Sequence, residues 1–141
     1  MLKGVPKNLS PEILKVLCEM GHGDEIVIAD ANFPSINKGV MEFRADGIGG
    51  VDMLKSILTL IPFDTYADAN MLLMGLSGND TEIPPIWEEY KNVADSIDKN
   101  GVIKYLDRFE FYDRAKKAYA VIHTGESAIY ANIIIKKGVI K

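Results

Sequence analysis

Few residues in this chain are equipped for chemistry. It holds two histidines, His22 and His123, and one cysteine, Cys18. There is no H-E-x-x-H and no cysteine pair, so zinc has no recognisable scaffold, and no G-x-S-x-G elbow presents a serine nucleophile. What remains is a set of polar groups at the expected ends of strands and helices: His22, Asp30, Asp64, Arg108, Tyr112, Tyr130 and Asn132. An imidazole, carboxylates, phenols, an amide and a guanidinium together suit a neutral, polyhydroxylated ligand. A sugar needs many hydrogen-bond donors and acceptors. Its acid–base chemistry needs one group that moves a proton near neutral pH, and an imidazole is that group.

His22 has the most unusual setting. It lies in Met20-Gly21-His22-Gly23-Asp24-Glu25, ahead of the apolar run Ile26-Val27-Ile28-Ala29 and then Asp30. Flanking glycines leave room for a ligand beside the ring. The run reads as a buried strand, with Asp30 at its C-terminal end, where open α/β sheets bind ligands. One unit thus offers a histidine at one end and a carboxylate at the other, and the fold decides whether they meet. The plainer alternative is a helix-ending glycine, a surface histidine and a loop aspartate. Plainer roles exist elsewhere too: Tyr112 and Tyr130 as half-buried aromatics, Arg108 in a surface ion pair, His123 as a structural strand residue, Met74 as core filling. Asn132 is harder to set aside, because it interrupts an apolar strand and a buried amide needs partners. Gly47-Ile48-Gly49-Gly50 fails G-x-G-x-x-G, with Asp52 in the last glycine's place, and reads as a flexible helix entry.

The elements that must position these groups follow from periodicity. Ser10-Pro11-Glu12 opens a first helix, with Ile13, Val16, Leu17 and Met20 on its apolar face. Strands are expected at Glu25–Ala29 and Val40–Arg44, then a helix with Val51, Leu54, Ile57, Leu58 and Ile61 inward, stopped by Pro62. Met71–Met74 is a further strand. Pro84-Pro85 introduces a third helix with Ile86, Tyr90, Val93 and Ile97 on one side, and Val102–Leu106 is a strand. Asp107 caps a fourth helix, and Tyr119–Thr124 and Ile129–Ile135 are the last strands. Only a short turn separates those two, which predicts an antiparallel pair within a mixed sheet. The expected architecture is α/β, a three-layer α/β/α sandwich with helices on both faces of one sheet.

Composition narrows the classes. The 141 residues suit a single domain, 1–141, and 48% hydrophobic with 26% charged residues is ordinary for a globular protein. A net charge of −4 without a basic block argues against nucleic acid or a membrane surface as partner. Cys18, among apolar neighbours, reads as a small buried hydrophobe. A lone cysteine, no secretory h-region and no long apolar run together predict a cytoplasmic protein.

The chain also resembles the family of L-fucose mutarotases and D-ribose pyranases, and its fucose branch in particular. The resemblance rests on Leu9-Ser10-Pro11-Glu12, Met20–Ile26, Asp30 with Asn32-Phe33-Pro34, and Arg44-Ala45-Asp46-Gly47. It continues through Asp64-Thr65-Tyr66, Arg108–Tyr112, Thr124-Gly125-Glu126, Tyr130, Asn132 and Lys137-Gly138-Val139. It implies a three-layer fold around a mixed sheet and an isomerase that interconverts sugar anomers by opening and closing the ring, without cofactor or metal. By position it implies His22 as the proton-transferring group and Asp64 as a second catalytic position; mechanistically, a carboxylate, Asp30 or Asp64, would orient the imidazole or share the proton work. Asp30, Met74, Arg108, Tyr112, Tyr130 and Asn132 match sugar-contacting positions. It further implies a homo-oligomeric ring, a decamer being one form, with each site completed by a neighbouring subunit. The ligand would be a monosaccharide, L-fucose first; D-ribose pyranase activity and a non-catalytic sugar-binding module are the alternatives. Met74 and Phe33 would offer an apolar wall to the C6 methyl of fucose. One residue departs from the fucose pattern: Ala131 replaces a glycine, and its methyl would narrow the pocket towards a pentose.

Overall fold

The computed structural model describes residues 1–36 and 39–141. Its centre is a six-stranded sheet in the order β2-β5-β1-β6-β3-β4. In chain order the strands are β1 (Glu25–Ala29), β2 (Met41–Ala45), β3 (Met71–Met74), β4 (Ile103–Leu106), β5 (Ala120–Thr124) and β6 (Ile133–Lys136). The helices are α1 (Pro11–Glu19), α2 (Gly50–Leu58), α3 (Pro85–Ile97) and α4 (Arg108–Ala115). Alternate residues of the strands feed two cores. Ile26, Ile28, Ile122, Ile133 and Ile135 pack with α1, α2 and α3. Val27, Val121, Ile134 and Leu72 pack on the other face with Phe111 and Ala115 of α4. Helices therefore cover both faces, as expected. Among the described residues no helix is long and apolar enough to cross a membrane.

The helix starts behave as their sequences demand. Ser10 Oγ accepts from Ile13 N–H at 3.2 Å, and Asp107 Oδ1 accepts from Phe109 and Glu110 N–H, each at 2.9 Å. Four expectations need correction. The sheet is mixed, but β5 and β6 do not pair; each flanks β1, β5 parallel and β6 antiparallel. The turn between them is spent crossing β1, because both strands are apolar on two faces and need interior positions. The last strand starts only at Ile133, so Asn132 precedes it instead of interrupting it. The inward face of α3 is Ile86, Trp87, Tyr90 and Ala94, whereas Ile97 is exposed, since Trp87 rotates the buried stripe. Cys18 is exposed on α1 rather than buried.

Gly50 is needed for close approach, not flexibility: a Cβ there would lie 2.2 Å from the hydroxyl of Tyr90. That hydroxyl, fully buried, donates to the carbonyl of Ala131 at 2.7 Å. Packing of α3 against α2 thus reaches the segment that leads into β6.

Candidate active site

Because β6 runs antiparallel to β1, its start lies beside the end of β1. This brings Asn132 to Asp30, 102 residues apart in sequence. The two interlock: Asp30 N–H donates to Asn132 Oδ1 at 2.7 Å, and Asn132 Nδ2 donates back to Asp30 Oδ2 at 3.0 Å. Asn32 N–H donates to the other carboxylate oxygen at 2.9 Å. Asp30 is buried, and burial pushes its carboxyl above the usual range against these opposing hydrogen bonds.

Around this pair lies a cleft of about 300 Å³, within the usual range for small-molecule sites. Met74 at the end of β3 and Phe33 form its apolar side. Arg108, the first residue of α4, holds its guanidinium 5.6 Å from the ring centroid of Tyr112 one turn later, and Tyr112 packs on Phe33 at 5.6 Å. Tyr130 completes the rim. Its φ of +58° is left-handed, at a cost of roughly 1–2 kcal/mol for an L-residue. Two side chains of α3 hold it: Trp87 Nε1–H donates to the Tyr130 carbonyl at 2.8 Å, beside the Tyr90 bond to Ala131. Ala131 itself is buried in the core under α1–α3 and does not line the cleft, so its methyl does not narrow the pocket as expected. The left-handed turn at Tyr130 sends the neighbouring side chains to different sides.

His22 is elsewhere. It precedes β1, whose five residues span ~17 Å before Asp30 is reached. Gly23 takes φ +85° in a turn whose N–H donates to the Lys137 carbonyl, while Asp64 N–H donates to that of Lys136. Both loops are thereby pinned to the end of β6. His22 Nε2 then meets Asp64 Oδ1 at 3.1 Å, and the same oxygen accepts from Tyr66 N–H at 2.9 Å. Burial pushes the Asp64 carboxyl up, but the Tyr66, His22 and Lys136 contacts outweigh it and hold it below the usual range. An ionised Asp64 can only accept, so Nε2–H donates to it, which leaves the lone pair on Nδ1. Nδ1 has no hydrogen bond among the described residues, and the His22 side chain is 47% exposed beside the Tyr66 ring at 5.2 Å. His22 is therefore a surface histidine, as the plainer alternative also expects, with a buried carboxylate beside it.

The structure therefore splits the candidates. Asp30, Met74, Arg108, Tyr112, Tyr130 and Asn132 come together at one end of the sheet; His22 and Asp64 come together at the other. Asp30 does not meet His22 within the subunit. His123 is buried against Glu42, 2.9 Å from its Nε2, outside the cleft lining. Sequence reasoning missed Ser77 and Asp80, which line the cleft and contact the Tyr130 hydroxyl. Ser77-Gly78-Asn79-Asp80 looks like any polar turn, and no local signal marks it. A second cleft of about 370 Å³ adjoins at Ile129, but among the described residues its charged groups are all carboxylates, Glu82, Glu89 and Glu126.

The sequence matches the RbsD / FucU transport protein family over residues 3–140. It is 50% identical to the fucose mutarotase of Mus musculus, over 97% of this chain and 94% of that protein. The fold is similar to the crystal structure of the fucose mutarotase from Streptococcus pneumoniae in complex with L-fucose. The TM-score is 0.91 and the identity 48%, over 99% of this chain and 100% of that one. RbsD of Bacillus subtilis complexed with D-ribose is more distant, with a TM-score of 0.76 and 28% identity over the whole of both chains.

Proposed function

The chain belongs to the RbsD / FucU transport protein family, and we infer that it is an isomerase that interconverts the anomers of L-fucose. One observation carries this reading: near-full-length identity of about half to fucose mutarotases, against 28% to the ribose-complexed relative. The cleft is consistent with it, with donors and acceptors opposite the apolar wall of Met74 and Phe33.

Mutarotation requires two proton movements. As C1–O5 breaks, the anomeric hydroxyl gives up its proton and the ring oxygen gains one. The aldehyde then turns about C1–C2, and O5 attacks its other face with the proton traffic reversed. No proton is gained or lost overall. Nδ1 of His22 suits this work, and Asp64 stabilises the imidazolium that forms. In the cleft, Asp30 and Asn132 would bind sugar hydroxyls through their remaining lone pairs and protons, and Arg108, Tyr112 and Tyr130 would frame the ring. Among the described residues the cleft lining holds no imidazole, and its own His22 lies a strand's length away. The reading therefore includes a homo-oligomeric ring in which a neighbouring subunit's His22 and Asp64 close each cleft. The whole chain acts as one domain. A reducing, cytoplasmic setting suits the exposed Cys18, which would otherwise invite disulfides between molecules.

Saturation-transfer NMR tests this on L-fucose and D-ribose at equal enzyme concentration. Faster exchange between fucose anomers is expected. Shifted sugar resonances without faster exchange would indicate a binding module, and faster pyranose–furanose exchange of ribose would indicate a ribose pyranase.

A further inference from the structure

The hydroxyl of Tyr130 is more tightly gripped than a cleft-lining phenol needs to be. The left-handed turn and its two α3 donors carry the ring towards the loop after β3. There, Ser77 N–H donates to Tyr130 Oη at 3.3 Å, Ser77 Oγ lies at 3.2 Å, and the Asp80 carboxylate is in direct hydrogen-bond contact. A phenol has one proton and can accept as well. The Ser77 amide can only donate, so it occupies one lone pair of Oη; the Ser77 hydroxyl, which rotates freely, donates to the other, and a sugar hydroxyl would take its place there. The Asp80 carboxylate accepts, so the phenol O–H is donated to Asp80; the Ser77 carbonyl, at 3.5 Å, is the weaker competitor.

We propose that Asp80 is a positioning residue that commits the Tyr130 proton, so that Tyr130 meets the sugar only as a hydrogen-bond acceptor. The cleft then selects a sugar hydroxyl oriented to donate at this point. Asp80 enriches the phenol oxygen electronically and fixes its direction, while the strained backbone fixes the ring. This rests on the reading that the cleft binds L-fucose and deepens it.

The test combines sugar affinity with a probe of the phenol itself. L-fucose dissociation constants and exchange rates are measured for wild type, Asp80→Ala, Asp80→Asn, Tyr130→Phe and the Asp80→Ala/Tyr130→Phe double variant. Asp80→Ala should weaken fucose binding about tenfold, the scale of one charge-assisted hydrogen bond, with far less effect on the exchange rate at saturation. Asp80→Asn keeps an acceptor oxygen and should fall between. In the Tyr130→Phe background, Asp80→Ala should have no further effect. In protein labelled with [ζ-¹³C]tyrosine, the Tyr130 resonance, identified by its loss in Tyr130→Phe, should move in Asp80→Ala without any sugar present. Equal cost of Asp80→Ala in both backgrounds would overturn the proposal, because Asp80 would then act on the sugar directly. Wild-type affinity in Asp80→Ala would overturn it too. A wild type that does not bind L-fucose would instead overturn the functional reading, and the two failures are distinguishable because the Tyr130 resonance would still move in Asp80→Ala.

Discussion

Asp30 and Asp64 are the same chemical group in opposite circumstances. Burial dominates at Asp30 and raises its carboxyl, whereas at Asp64 the histidine and two further contacts overcome burial and lower it. The signs make different pH dependences. A carboxyl with a depressed pKa binds fewer protons folded than unfolded, so Asp64 stabilises the fold above the ordinary value of 3.8. That contribution is lost as pH falls through its lower folded value. Asp64→Asn should therefore show a shallower loss of stability on the acid side of 3.8 in urea unfolding. Asp30 works the other way, its contribution lost as pH rises through its raised folded value. At His22 the proposed role is catalytic rather than structural. His22→Ala should cut anomer exchange about 10²-fold or more, the usual scale of positioned proton transfer, with only a small drop in melting temperature, because the contact to Asp64 is lost but the side chain is half exposed. A smaller loss than tenfold, or a collapse in stability, would remove His22 from the mechanism.

At the scale of elements, the rim of the cleft is buttressed from behind. Gly50 of α2 admits the Tyr90 hydroxyl, which holds the Ala131 carbonyl, and Trp87 one turn earlier holds that of Tyr130. Gly50→Ala drives a methyl into Tyr90 and should cost about 1–3 kcal/mol in chemical denaturation, as overpacked cores do. It should also weaken fucose binding, although Gly50 is not in the cleft lining, because Tyr130 loses its support. Stability lost with unchanged affinity would show that Trp87 alone suffices. Tyr90→Phe removes the same hydrogen bond without overpacking, and should reproduce the loss of affinity with less loss of stability.

At the scale of the molecule, half of a site lies at each end of the sheet. If the two halves make one site, as proposed above, assembly would be a condition of activity. Mixing His22→Ala with Tyr130→Phe protein, each inactive or weak alone, should restore part of the exchange rate after subunits redistribute, measured on L-fucose anomers. The mixture forms some clefts with an intact rim and an intact neighbouring histidine. No recovery, or full activity from a species that light scattering shows to be a monomer, would refute shared sites.

The sequence by itself determined the element types and their approximate order, because capping at Ser10 and Asp107, strand apolarity and helical spacing are local physics. It also named most of the residues that line the cleft, though not Ser77 or Asp80, and the paired His22 and Asp64, through the resemblance more than through spacing. Strand order was not legible. A short turn between β5 and β6 favours a hairpin locally, yet two strands apolar on both faces gain more by flanking β1. That non-local choice put Asn132 against Asp30 and carried His22 to the far end of the sheet, beside Asp64 instead. The partner of Tyr130 was hidden for the same reason: Asp80 lies 50 residues away in an ordinary turn, and only packing brings its carboxylate to the phenol. Hydrogen bonds between distant loops leave no periodic trace in a chain, so tertiary structure alone decided them.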